Sequence, residues 1–266
     1  MIFRDYDKTL VFASLVNREY EGEIRNFGDT VKINEIGAVE TKAYTGTVTY
    51  DDPEDASKLL IIDQKYYTAV QVDDIDEAQS KPKTLGEITR KMGVSMAENI
   101  DEFIAGFADN AGLTTGLGTE GAPISITSAN VTTYFATIAQ LMDENNNPQQ
   151  GRVAVVPPWF IHKINQADIT KNTDNSRTLE SGYVGRYYGF DLYMSNSIEH
   201  SGTTWYKPMF FLRNDSISFA QQILRTEGDR LENSFKDGIR SLIVYGGKVT
   251  RPSSLATLVC AAGAES

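Results

Sequence analysis

Cysteine and histidine are nearly absent from this chain of 266 residues, with one Cys260 and two histidines, His162 and His200. A single cysteine excludes an internal disulfide and a cysteine zinc cluster, and it fits a reducing compartment. Near a chain end such a residue reads as a small apolar side chain. Two histidines leave little of the residue most used for acid–base chemistry near neutral pH, and they cannot form an H-E-x-x-H zinc helix. His162 falls in an apolar helical run and reads as packing; His200 sits in a Gly-Ser turn. Basic residues are also scarce, 25 Lys plus Arg against 36 Asp plus Glu, for a formal charge of −11. Sequence-independent grip on DNA runs on Lys and Arg displacing counterions, so a nucleic-acid-binding role is disfavoured. Long apolar runs are missing too. The longest uncharged apolar stretch, 253–264, is too short to cross a bilayer, and the charged start MIFRDYDKTLVF does not read as a secretory signal. A soluble intracellular product with no membrane partner is expected, which leaves the sequons at Asn130 and Asn214 without meaning.

Catalytic signatures are equally thin. Gly116-Leu117-Gly118-Thr119-Glu120-Gly121 matches G-x-G-x-x-G, but it follows a helix where a dinucleotide site must follow a strand. Asp143-Glu144-Asn145-Asn146-Asn147-Pro148 opens like a calcium loop, yet it has Pro where Gly is needed and Ala154 where the bidentate Glu belongs; it reads as a turn. Acidic runs at 51–55 and 73–77 could hold a divalent cation between subunits or simply be solvated loop faces, and the second reading is preferred. No serine has a G-x-S-x-G setting, no lysine a P-loop, and no carboxylate pair is marked out. No catalytic residue, cofactor or metal is expected, and a structural protein is favoured over an enzyme.

What the chain does carry is periodicity. From Thr84 to Gly112, Leu85, Ile88, Met92, Met96, Ile100, Phe103, Ile104 and Phe107 recur every three or four residues, one stripe of a helix. Thr84 and Glu87 make a capping box, and Gly112 supplies a stop. About 28 residues at roughly 1.5 Å each make a rod of about 42 Å, longer than a small domain is wide. Residues 1–24 read as an amphipathic arm with no core of its own. Residues 30–50 alternate with period two, 51–55 form an acidic tip, and 59–72 (LLIIDQKYYTAVQV) read as the returning strand of a long hairpin. So long a ribbon needs a surface to lie on, and a neighbouring subunit could supply it. A second helix is expected over 128–144, a buried strand at 152–156, and a short Pro-led helix from Pro158. Asn165 to Gly182 reads as an exposed loop. Further strands are expected at 187–194, 205–212, 217–224 and 241–249. Helices and strands mix without strict alternation, so the fold class is α+β.

Four segments carry a family resemblance: GRVAVVPPWF at 151–160, YVGRYYGFDLYMSNSI at 183–198, FKDGIRSLIVYGGKVTRPSSL at 235–255 and NREYEGEIRNFGDTVKI at 17–33. In that order and spacing they resemble the major capsid (coat) proteins of tailed bacteriophages, over about residues 10 to 256. The resemblance implies an N-terminal arm (1–24), an extended hairpin loop (25–79), a peripheral domain with a spine helix (80–124) and an axial domain (125–220). Residues 221–266 would supply return strands of the peripheral domain and the C-terminus. It further implies self-assembly through hexamers and pentamers into an icosahedral shell, assembled in the bacterial cytoplasm and matured from a procapsid. The implied partners are other copies of the chain, a scaffold, a portal and decoration proteins, with no sequence-specific nucleic acid. Candidate inter-subunit contacts are Asp51, Asp52, Glu54, Asp55 and Lys58 in the hairpin. The competing readings are another self-assembling virion or encapsulating-shell protein and an acidic intracellular hydrolase. Three glycines in the spine, Gly86, Gly93 and Gly106, leave two accounts open: bending during shell expansion, or close packing of a strand over Gly93.

Overall fold

The computed structural model describes residues 10–20, 30–36, 55–73, 84–167, 183–230 and 236–264. Its spine is helix α1, Thr84–Ala105, which continues as a tight 3-10 turn over Gly106–Asn110. The expected helix to residue 112 is therefore a 22-residue α-helix with a tightened tail, a common way for the last turn to re-pair its carbonyls. Nothing lies within 4 Å of where a side chain on Gly86, Gly93 or Gly106 would begin. Close packing of a strand over Gly93 is thus overturned as the reason for that glycine.

The spine lies on a three-stranded antiparallel sheet ordered β11-β12-β3, from Ile217–Arg230, Lys236–Val249 and Gln64–Asp73. Side chains alternate across β12, so its two faces serve two layers. Ile243 and Tyr245 join the core under α1, whereas Val244 joins Ala220, Val31, Ile33, Leu60 and Ile62 on the other face. That second layer is the base of the hairpin, β1 (Thr30–Ile36) paired antiparallel with β2 (Asp55–Ile61). Gly246 and Gly247 mark the crossing. A Cβ on Gly247 would sit 2.8 Å from the Phe107 ring, and one on Gly246 would overlap the Ile61 carbonyl.

Two expectations about the hairpin change here. The returning strand 59–72 is two strands, broken at Ile62-Asp63, because the chain leaves the hairpin layer at β2 and enters the main sheet as β3. The surface beneath the hairpin base comes from the same chain, since Leu60 and Ile62 are fully buried against β11 and β12. The stretch 37–54 lies outside the described residues.

A second body is built on a five-stranded sheet ordered β13-β10-β5-β7-β6, from Leu255–Thr257, Met209–Leu212, Arg152–Val156, Phe190–Met194 and Tyr183–Tyr187. Strand β5 is buried at all five positions, which is why it reads as a continuous apolar run after Arg152. Val153 and Val155 face the spine core, and Ala154 and Val156 face helices α2 (Val131–Glu144) and α3 (Pro158–Gln166). A small sheet ordered β4-β14-β9-β8 joins Ile124–Ile126, Cys260–Ala262, Trp205–Tyr206 and His200–Ser201. Residues 255–262 therefore pair with strands of the 124–212 region.

Several element boundaries move. The expected strand 187–194 is a hairpin turning at Tyr188-Gly189, and 205–212 is split by Lys207-Pro208, where proline has no N–H for the ladder. Strands β11 and β12 run 14 residues each, β11 past its expected end at 224 and β12 from before its expected start at 241. Helix α3 takes in Asn165 and Gln166, expected as loop; 168–182 lie outside the described residues. His162 is exposed on α3, which overturns its reading as a packing residue.

The arm borrows the core it lacks. Val11, Phe12, Leu15 and Val16 are buried among Ile100, Ile104, Ile217 and Phe219. Its 3-10 turn, Phe12–Ser14, has no cap from its own side chains. Asp101 of α1 supplies one: the N–H groups of Val11, Phe12 and Ala13 donate to its carboxylate at 2.7, 3.3 and 3.0 Å. Asp101 has no solvent exposure, and burial pushes its carboxyl above the ordinary carboxylate range while the three N–H groups pull it partly back. Asn17 then bridges Ser218, extending the sheet edge at β11. Asp101→Ala is expected to lower the unfolding free energy by about 3 kcal/mol, read from the denaturant midpoint, because two buried donors and one partly buried donor lose their acceptor. Asp101→Asn should recover only part, since its amide adds two donors. A loss under about 0.5 kcal/mol in both would mean apolar packing alone holds the arm.

Candidate assembly surface

Leu59-Leu60-Ile61-Ile62, the end of β2 and the residue after it, has no polar position, so alternation must turn half of it outward. Leu60 and Ile62 point into the subunit; Leu59 and Ile61 are 48% and 50% exposed on the opposite face. In register they stand across from Lys32 and Thr30, both exposed. Tyr67, 76% exposed, lies opposite Leu242 and hence on the sheet face that carries the hairpin. Its neighbour Tyr66 faces the helix side and stacks on Tyr245 at 5.7 Å between ring centroids. Four of the five large exposed hydrophobics among the described residues fall between 59 and 67. Three of them, Leu59, Ile61 and Tyr67, lie on the hairpin side of the sheet, and apolar side chains exposed together mark an interaction surface.

The hairpin base is held firmly beneath that surface. Lys58 Nζ donates to the Thr250 carbonyl at 2.6 Å, and Lys248 Nζ donates to the Leu59 carbonyl at 3.0 Å, so each layer sends one lysine to the other's backbone. Of the five contact candidates, Lys58 is thus bonded within its own chain. Asp55 opens β2 opposite Ile36, its side chain outside the described residues, as are Asp51, Asp52 and Glu54 altogether. The sequence reading named the charged tip; the structure adds Leu59 and Ile61 as exposed apolar positions. The run of four apolar residues within a strand was the available signal.

The motifs that resemble ligand sites have internal uses. Gly118 has φ +83, and a side chain there would collide with the Val259 carbonyl. The glycine-rich loop is zipped to the C-terminal segment by Gly112 N–H to Pro252 O, Leu113 N–H to Leu255 O and Val259 N–H to Leu117 O, at 2.9, 3.1 and 2.8 Å. Asp143 receives the buried Arg152 guanidinium at 2.6 Å, which also donates to the carbonyls of Asn147 and Pro148. No group of three or more metal-ligating side chains able to hold an ion occurs among the described residues.

One polar cluster was not foreseen. The buried Lys207 ammonium meets Asp109, Glu120 and Glu199 at 2.5, 2.7 and 3.1 Å. These carboxylates come from the tail of the spine, the glycine-rich loop and the segment before β8, so one lysine ties three segments together. Burial disfavours its charge, but the three carboxylates outweigh that and hold it above its ordinary value. Nothing in the dipeptide Lys207-Pro208 announces this.

Comparison with known proteins now bears on these features. A family model described as phage capsid protein matches residues 64–258. The fold is similar to a solved structure from Mycobacterium phage Che8, with a TM-score of 0.78 and 27% identity over 97% of this chain and 94% of that one. It is also similar to the capsid structure of cyanophage P-SCSP1u, at TM-score 0.76 and 18% identity over 99% and 91%. The capsid of Ralstonia phage GP4 aligns at TM-score 0.70 and 13% identity over 100% and 94%. Among curated proteins none matches significantly. No helix among the described residues is long and apolar enough to cross a membrane.

The Lys207 cluster yields a check on the joint it forms. Lys207→Met is expected to cost on the order of 2 kcal/mol of unfolding free energy by leaving three carboxylates facing one another. Because the folded-state pKa lies above the ordinary 10.5, that contribution is present below 10.5 and is lost only as pH rises through the raised value. The wild-type advantage should therefore be flat between about pH 7 and 9. A steep decline in that window would contradict the assignment.

Proposed function

This chain belongs to the phage capsid protein family, and from that premise we infer that it is the major shell subunit of a tailed phage, self-assembling through hexamers and pentamers into the icosahedral capsid. The observation that carries this is the family match across residues 64–258, joined to a fold alike to phage capsids along nearly the whole chain. Its role is structural and its place is the virion.

The geometry supports a finer reading. The spine helix, the sheet under it and the hairpin base serve as the peripheral domain with its extended loop, and the five-stranded body with α2 and α3 as the axial domain. Leu59 and Ile61 are the part of the loop that a neighbouring copy covers. Both are half exposed on a base already fixed to its own subunit, so burying them requires no rearrangement. The tip residues Asp51, Asp52, Glu54 and Asp55 extend the same contact, with Lys58 positioning the strand beneath. Scaffold, portal and decoration proteins complete the shell, and assembly takes place in the host cytoplasm. The net charge of −11 suits a lining that leaves packaged DNA free to move.

Expressed full-length chain is expected to form shells, rings or tubes by negative-stain electron microscopy, with scaffold where required; a uniform monomer under every condition would contradict the reading. Leu59→Asp with Ile61→Asp should leave the subunit folded by circular dichroism and raise the concentration needed for assembly at least about tenfold. Unchanged assembly of that variant would remove this face from the interface.

A further inference from the structure

The turn between β6 and β7 is the least comfortable piece of backbone in the five-stranded body. Tyr187 pairs with Phe190, so the loop is two residues, Tyr188 and Gly189. Both have positive φ, +49 and +82, the mirror-image type I′ turn whose twist suits a hairpin. Gly189 meets that requirement freely, and nothing lies within 4 Å of where its Cβ would be. Tyr188 does not. A bulky residue in the left-handed region is an outlier, and Asn or Asp is the usual occupant of this position. Among the described residues the other two non-glycine residues at positive φ are Asn146 and Asn214. Among the described residues, Tyr188 is the one place where the turn chemistry and the residue disagree.

The described residues cover only about half of the ring. Tyr188 is 48% exposed and is the one large exposed hydrophobic among the described residues outside 59–67. Its aromatic contact is an edge-on approach to Tyr187 at 5.2 Å, and Tyr187 is itself held by Phe135 and by a hydrogen bond to Thr132. Strand β6 is the outer strand of its sheet among the described residues, so the tip stands at an edge that another molecule can approach. Strained residues persist where the strain serves a contact or a motion.

We propose that Tyr188 is an inter-subunit anchor: the β6–β7 tip presents its ring to a second copy of this chain within the shell, separately from the hairpin face. This rests on the shell-subunit reading. Tyrosine is enriched among interface residues because it buries a rigid amphipathic ring at little entropic cost. A nucleic-acid base could also stack on an exposed tyrosine, but that mode needs a basic groove around it. The chain's charge of −11, and an Arg186 that lies beside Asp191 on the same hairpin, argue for protein.

The test uses the sign of two effects. Tyr188→Asn puts a residue suited to the left-handed region into the turn, so the thermal midpoint of the unassembled full-length chain should hold or rise. The concentration required for assembly should nonetheless increase on the order of tenfold. Tyr188→Phe keeps the ring and should assemble like the wild type. If the wild type assembles and Tyr188→Asn assembles at the same concentration, the anchor is refuted while the shell reading stands. If the wild type itself never assembles, the shell reading fails first. A fall in thermal midpoint for Tyr188→Asn would overturn the claim that the ring strains the isolated subunit, and Tyr188→Asn particles that assemble normally but lose DNA would assign the ring to nucleic acid.

Discussion

The structure depends on one strand being approached closely from both sides. Strand β12 carries the spine helix on one face and the hairpin base on the other, and both layers come closest at Gly246-Gly247. A side chain at either position would push a layer away, because the Phe107 ring and the Ile61 backbone occupy that space. Interiors are packed to crystal-like density, so a displacement there propagates. The layers on either side are what a shell subunit needs: a stiff bar beneath and an arm-like ribbon above, held by one common sheet. The reciprocal lysines Lys58 and Lys248 then fix the ribbon's height and direction by bonding backbone carbonyls.

Polar anchors do the remaining work where apolar packing lacks direction. Asp101 holds the arm by three backbone donors, and Lys207 joins the tail of the spine to the second body through three carboxylates. Hydrophobic contact is nondirectional, whereas a hydrogen-bonded charge in a buried setting accepts few alternative arrangements. The isolated subunit is thereby well defined, and the apolar residues left outside, Leu59, Ile61, Tyr67 and Tyr188, stand on fixed supports. A surface of that kind associates without first paying to order itself.

How much of this could be read from residues alone varies with the range of the interaction. The spine, the fully buried β5 and the Pro-led α3 were legible because their signals are local: a stripe of period 3.6, an apolar run, a proline at the first turn. The family likeness was legible from the order of four segments. What escaped was set by partners far away in sequence. The break at Ile62-Asp63 follows from β3 pairing with β12, more than 160 positions on, and the Asp101 cap reaches back 90 positions to Val11. The Lys207 cluster draws on three segments that no spacing connects. At the proposed assembly surface, charge drew the reading to Asp51–Asp55 and Lys58, while the exposed apolar positions followed from simple alternation of Leu59 to Ile62. Tyr188 escaped because YYGF reads as continuous strand until the Tyr187–Phe190 register is known.

The central claim is that a subunit whose hairpin base is held on its own sheet presents an apolar face to its neighbour. Cryo-electron microscopy of particles assembled from the full-length chain tests it most directly. The account predicts a closed icosahedral shell in which Leu59 and Ile61 are buried by an adjacent copy while Gly246-Gly247 stays at the crossing of spine and hairpin within each subunit. Shells in which Leu59 and Ile61 face solvent, or in which the hairpin base has left its own sheet, would contradict it.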